Sequence, residues 1–342
     1  MISIVVPCYN CEKYINATYV SLINQSTDGY EIVFVDDGST DNTSRILDEY
    51  AIKNSNVKVV HQENGGLMNA WKRGVTEARG EYIVFCDADD YVESNLIELV
   101  EKAILQSGAD IIQYSMSSNY DDGSEIKKDI NLPAGLYDRQ HIEEQILPNL
   151  YSDGDMESGL LPKSRCSKAI RRLLLLDVMP YLNEEVAFGE DDLTTFALLM
   201  NASSIYVMSD AYLYHYVRNA ESMIGAYDEA VFNKIKLLYS ELEKLADRYG
   251  YVYHSQILAD KFGAIVLYLK KEICRNPNGI AAIRKRIVQI RECEEFERLI
   301  DVVSIEKYNL AARIFAKLIV DRQYMFAIVC TKLIDIIKGK NV

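Results

Sequence analysis

No stretch of this 342-residue chain reaches the roughly 18 consecutive apolar residues that a membrane span needs. There is no glycine-rich phosphate loop either, since neither GxGxxG nor a Walker sequence occurs. Internal repeats and low-complexity tracts are absent. The seven cysteines (Cys8, Cys11, Cys86, Cys166, Cys274, Cys293, Cys330) are odd in number and scattered, unlike a disulfide framework. Cys8 and Cys11 do form a CxxC where a strand gives way to a helix, as in a thioredoxin-type redox pair. No second CxxC or paired His completes a zinc site. Cations are in deficit, 37 Lys+Arg against 51 Asp+Glu, for a net charge of −14. That balance argues against a nucleic-acid partner, whose phosphates call for a broad Lys/Arg surface. The opening Met1-Ile2-Ser3-Ile4-Val5-Val6-Pro7 has no basic residues before its apolar run. It reads as a first strand and not a signal peptide, and the expected location is cytoplasmic.

What is present is ordinary for a globular protein: 49% apolar and 26% charged residues, with chain enough for one to three domains and a real core. Ile2–Pro7, Glu31–Asp36, Val57–His61 and Tyr82–Asp87 are short β-branched or aromatic runs suited to buried parallel strands. Helical stretches fall between and after them, near Glu12–Gln25, Thr40–Asn54, Leu67–Ala78 and Ser94–Gln106. The alternation predicts an α/β fold, a mostly parallel sheet with helices on both faces, with ligands beyond the carboxyl ends of the strands. Residues 117–135 are polar and turn-rich and read as a surface excursion, with a mixed region from about 137 to 222. From Asp228 onward helical periodicity takes over, with helices expected at 228–249, 251–275, 278–290 and 308–337. The expected domains are therefore 1–222 and a helical C-terminal subdomain, 223–342.

Three acidic clusters sit at strand or helix ends. Val35-Asp36-Asp37-Gly38-Ser39-Thr40-Asp41 can accept hydrogen bonds from a base and a ribose, or form a capped turn. In Asp87-Ala88-Asp89-Asp90 the residues two apart share a side of an extended chain, so Asp87 and Asp89 can hold Mg²⁺ or Mn²⁺ while leaving room for phosphate oxygens. The same sequence also suits a solvated acidic turn. Gly189-Glu190-Asp191-Asp192 opens a helix, where acidic residues are favoured by the macrodipole and where one carboxylate could act as a general base. Further on, in Tyr212-Leu213-Tyr214-His215-Tyr216-Val217-Arg218, His215 is either a metal ligand or a packed histidine, and Arg218 a candidate phosphate clamp.

Taken in order, Pro7-x-Tyr9-Asn10, Val35-Asp36-Asp37-Gly38-Ser39, Asn64-Gly65-Gly66, Arg79-Gly80-Glu81-Tyr82, Asp87-Ala88-Asp89-Asp90, Glu190-Asp191-Asp192 and Tyr214-His215-Tyr216-x-Arg218 resemble the family 2 glycosyltransferases over residues 1–222. The resemblance implies the GT-A fold and an inverting, divalent-metal-assisted transfer from a nucleotide-sugar, usually a UDP-sugar, to a glycan or lipid-linked hydroxyl in bacterial surface glycan assembly. It places Pro7, Tyr9, Asp36 and Asp37 at the nucleoside and Asp87-Ala88-Asp89 at the diphosphate and metal, with Asp89 the direct ligand. Asp191, beside Glu190, falls at the catalytic base, His215 at a metal-completing histidine, and Lys168 at the lysine before the acceptor region. One departure stands out: many members carry Ala-Arg-Asn after the Gly-Gly, where this chain reads Ala70-Trp71-Lys72-Arg73. The alternatives are a nucleotide-sugar binder without catalysis and, from Cys8 and Cys11 alone, a thiol oxidoreductase.

The charge is segregated. Residues 261–342 carry 16 Lys+Arg against 9 Asp+Glu, or +7, and the first 260 carry 21 against 42, or −21. Asn309–Lys338 interleaves Leu, Ile, Phe and Met with Arg313, Lys317, Arg322, Lys332 and Lys338. Such a stretch suits peripheral contact with an anionic membrane, or packing within the subdomain or against a second copy as a homodimer.

Overall fold

The computed structural model describes residues 1–120, 122–151, 159–218 and 227–339. Its first strand, β1 (Ile2–Cys8), and its second, β2 (Tyr30–Asp37), are buried along their whole length, as strands covered on both faces must be. With β3 (Val57–Gln62) and β4 (Tyr82–Phe85) they form a parallel block in the order β3-β2-β1-β4. Helices α1 (Ile15–Ile23), α2 (Thr43–Lys53) and α3 (Leu67–Glu77) make the connections. The register sets Cys8 opposite Asp36 and Val5 opposite Phe85, so the acidic loops after β2 and β4 emerge at the same end of the sheet.

The chain continues through β5 (Tyr91–Val92), α4 (Leu96–Ser107), β6 (Ile111–Tyr120), β7 (Glu125–Lys128), β8 (Gly135–Asp138) and the single turn α5 (Arg139–His141). Then come β9 (Lys168–Arg171), α6 (Arg172–Val178), α7 (Glu190–Asn201) and β10 (Ser204–Arg218). The whole sheet runs β3-β2-β1-β4-β9-β6-β10-β5, with β7 on β6 and β8 on β10. β6 and β10 are parallel, whereas β9 is antiparallel to both of its neighbours. Part of the excursion expected at 117–135 is sheet, because β6 extends to Tyr120 and β7 pairs back on it.

The chain divides into two compact units, Met1–Leu147 with Leu161–Asn219, and Pro148–Leu160 with Ala220–Val342. The boundary expected at 222/223 lies outside the described residues. Within the second unit Gln256 ties in the short segment, its Nε2 donating to the Pro148 carbonyl (2.5 Å) and its Oε1 accepting from Tyr151 N (3.1 Å). The helices here are α8 (Val231–Tyr249), α9 (His254–Arg275), α10 (Gly279–Arg291), α11 (Glu294–Val302), α12 (Leu310–Val320) and α13 (Tyr324–Gly339). The helix expected over 308–337 is thus two helices. Arg322 takes a left-handed conformation (φ 60°) between them, and Gln323 N returns to the Leu318 carbonyl at 2.8 Å, closing the first.

Gly74 shows how closely α3 lies on the sheet: a Cβ there would meet Val5 Cγ1 at 2.3 Å and Val35 Cγ2 at 3.3 Å. Alanine is better than glycine in a helix by about 1 kcal/mol. Here the overlap with a fully buried β1 side chain outweighs that gain, so Gly74→Ala should lower unfolding stability by about 1–3 kcal/mol in urea titrations. Equal or raised stability would show that α3 does not sit this close.

Candidate active site

The loops after β1 and β2 are stitched together before any ligand is considered. Asn10, with positive φ, accepts from Thr40 N (2.7 Å) through its side chain, while its own N–H donates to Ser39 Oγ (3.0 Å). Asp36 is buried and accepts from Ser44 Oγ (2.5 Å) and Ser39 N (3.1 Å), with His61 Nδ1 at 2.9 Å. Burial works against its charge, but these bonds hold its carboxyl below the usual range. Asp37 accepts from Gly65 N and Gly66 N, both at 2.8 Å, and from Gln62 Nε2 at 2.7 Å. Both carboxylates therefore shape the cradle. Pro7 is buried at the end of β1, and the Tyr9 side chain is 52% exposed.

Beyond β4 the four residues of Asp87-Ala88-Asp89-Asp90 have separate environments. The Ala88 carbonyl accepts from Thr18 Oγ1 (2.8 Å). Asp90 is buried, accepts from Val217 N (2.8 Å) and the Tyr214 hydroxyl, and is pushed up to about 8 by burial and by Asp87. Asp89 is half-buried and is raised by burial and by the negative charge of Asp87. No cation pairs with it among the described residues. Asp87 meets one: its Oδ1 accepts from Arg165 Nη2 at 3.0 Å.

Arg165 joins the rest of the site. It lies in a 3₁₀ turn (Arg165–Ser167) just before β9 and is 1% exposed, with its guanidinium 5.7 Å from the Phe85 ring centre. Its Nη1 donates to Asp191 Oδ1 and, at 3.4 Å, to Glu190 Oε1. Burial disfavours its charge, yet Asp191 and Asp87 together keep its proton bound more tightly than usual. The turn is braced by Lys168, whose buried ammonium donates to the Pro162 and Ser164 carbonyls, each at 2.6 Å. Burial lowers the Lys168 pKa to about 7. Gly189, with φ 73°, starts α7 so that Glu190, Asp191 and Asp192 fall in its first turn, where Lys163 Nζ reaches Asp192 Oδ2 at 3.0 Å.

The residues expected at the nucleoside and the diphosphate thus lie at one end of the sheet, and Arg165 gathers Asp87, Glu190 and Asp191. His215 is placed elsewhere. Its Nε2 is 2.7 Å from Glu93 Oε1, its Nδ1 2.8 Å from Ser117 Oγ, and its ring stacks on Tyr91. Both nitrogens are engaged, so in this arrangement His215 acts as the packed histidine. Arg218 rests over the Tyr120 ring (5.5 Å), and its neighbours Asn219 to Ser222 lie outside the described residues. Trp71 is fully buried against Phe85 (5.7 Å), so position 71 belongs to the core, while Lys72 pairs with Glu184 (2.9 Å). Cys8 and Cys11 are buried, free thiols. No group of three His, Cys, Asp or Glu side chains able to hold a metal ion occurs among the described residues.

The glycosyl transferase family 2 profile matches residues 3–174. The chain belongs to that family. It is 31% identical over 242 residues to the putative glycosyltransferase EpsH of Bacillus subtilis, covering 70% of this chain and 67% of EpsH. Glycosyltransferase GlyG of Streptococcus pneumoniae is 41% identical over 33% of this chain, a stretch spanning 38% of GlyG. The structure of TarS residues 1–349 from Staphylococcus aureus in complex with UDP-GlcNAc superposes with a TM-score of 0.63 at 22% identity, covering 97% of this chain and 90% of that one, which shows the GT-A fold. No described helix is long and apolar enough to cross a membrane.

Arg165 escaped the sequence reading, and Asp90 stood in the acidic motif with no role of its own. A signal existed for the first: Lys163, Arg165, Lys168, Arg171 and Arg172 concentrate cations in the acidic part of the chain. Replacing Arg165 by Met leaves three carboxylates facing one another in a half-buried site. The expected result is a loss of turnover of about 100-fold or more and an acid limb of the pH–rate profile moved to higher pH, because the ionised carboxylates lose their counter-charge. An unshifted limb would remove Arg165 from the electrostatics of the site.

Proposed function

We propose that the enzyme transfers a sugar, with inversion, from a UDP-sugar to a hydroxyl of a bacterial surface glycan or its lipid-linked precursor, with Asp191 as general base. The observation that carries this reading is the Arg165 bridge, which holds the carboxylates of Asp87 and Asp191 around one guanidinium. The diphosphate end and the base are thereby parts of one constellation. Asp191 takes the proton of the acceptor hydroxyl as that oxygen bonds to the anomeric carbon, and the carbon–oxygen bond to the diphosphate breaks with its electron pair leaving on UDP. Tyr9, between Pro7 and the Asp36–Asp37 turn, supplies a face for the base. Lys168 acts from behind by holding the turn that carries Arg165, and Arg218 is assigned to the diphosphate. The family name and the UDP-GlcNAc bound to TarS support the donor class, and EpsH supports the family.

The donor set also fits a divalent ion. Asp89 and Asp87 repel each other, Asp89 has no cation beside it among the described residues, and hard carboxylates suit Mg²⁺ or Mn²⁺. With no group of three metal-ligating side chains among the described residues, such an ion would be held by Asp89, assisted by Asp87, and by the donor's own oxygens. Bound there, it would neutralise charge on the departing diphosphate. His215 would join it only by leaving Glu93 and Ser117.

Two substitutions separate the roles. Asp191→Asn should retain UDP-sugar binding by calorimetry while UDP release falls by about 100-fold or more, and normal turnover would refute the base. Asp89→Ala should weaken UDP binding by about tenfold with Mn²⁺ present and hardly at all in chelator; an equal loss in both would remove the ion from the reading.

A further inference from the structure

α13 buries one side and leaves the other open. Tyr324, Ala327 and Ile328 pack into the helical unit, whereas Phe326, Val329, Leu333, Ile336 and Ile337 are each about half exposed or more, Phe326 at 60% and Ile337 at 61%. The spacing i, i+3, i+7, i+10, i+11 puts these five on one face. α12 repeats the arrangement: Phe315, Ala316 and Ile319 are buried, while Leu310 (63% exposed) and Ile314 (53%) face outward. Scattered exposed apolar residues are normal, but a row of five large ones on one helix, with two more on the helix before it, marks a surface that meets a partner.

The charges choose the partner. Residues 309–339 carry five Lys or Arg against two acids, Asp321 and Asp335. Lys317 is exposed one turn along from Ile314, and Lys332 is one turn along from Val329. The side chain of Lys338 lies outside the described residues. A second copy of the same face would set cation against cation, while an anionic bilayer satisfies both the apolar row and its basic edge. We propose that the outward faces of α12 and α13 lie on an anionic membrane surface, with Phe326 and Leu333 entering the acyl boundary and Lys317 and Lys332 at the headgroups. Neither helix spans. The surface is independent of the transfer chemistry, because binding is read without any donor.

The test is co-sedimentation of the full chain with vesicles of phosphatidylglycerol and phosphatidylcholine, beside vesicles of phosphatidylcholine alone. The wild type should bind the mixed vesicles in a salt-sensitive way and the neutral ones weakly. Phe326→Ser/Leu333→Ser and, separately, Lys317→Glu/Lys332→Glu should each weaken binding to the mixed vesicles by about tenfold, with unchanged thermal melting. Absence of wild-type binding, or equal binding by the Ser variant, overturns the proposal. So does a dimer in sedimentation equilibrium that the Ser variant dissociates while vesicles leave it intact, which would assign the face to a second copy.

Discussion

A buried guanidinium is the constraint on which the catalytic end of this enzyme depends. Removing Arg165 from water is unfavourable unless nearly every face of its charge finds a carboxylate or a ring, and the structure supplies Asp87, Glu190, Asp191 and Phe85. Those carboxylates arrive from two directions, the end of β4 and the first turn of α7. Each would be costly in its half-buried position without the cation, and the cation would be costly without them. Geometry at the site is therefore set by mutual necessity: β4, the turn before β9 and the start of α7 must meet where Arg165 sits.

The same device recurs in the loop after β2 with backbone N–H groups in place of a cation. Asp37 takes up the N–H groups of Gly65 and Gly66, and Asp36 binds the Ser39 N–H and the Ser44 hydroxyl. Gly38 permits the close approach of the two loops, since a Cβ there would lie 2.8 Å from Asn64 N, and its φ of 71° suits glycine. Carboxylates that a motif marks as ligand contacts are here also the fasteners of the cradle.

What could be read in the sequence follows from how local the information is. β1, β2, β3 and β4 were legible because each is a short apolar run bounded by turn residues, and the acidic loops because each follows its strand directly. The split between α12 and α13 was not, since the apolar periodicity runs through Asp321-Arg322-Gln323 and only the left-handed turn at Arg322 ends the first helix. Arg165 was illegible as a site residue for a related reason. Its partners lie 78, 25 and 26 positions away in sequence, so its role exists only after the sheet has formed. His215 shows the converse: a motif-like residue whose two nitrogens the fold has already engaged, with Glu93 and Ser117.

These local balances explain how the first 260 residues can carry a net charge of −21. Net charge counts every carboxylate alike, but the site does not. Asp36 and Asp37 are committed to N–H and hydroxyl donors, Asp87 and Asp191 to Arg165, and Asp192 to Lys163. Burial and the charge of Asp87 raise Asp90 to about 8, which favours its neutral form. Asp89 differs: no cation pairs with it among the described residues, and burial and the charge of Asp87 raise it. At this end of the sheet the carboxylates are thus largely internal fasteners.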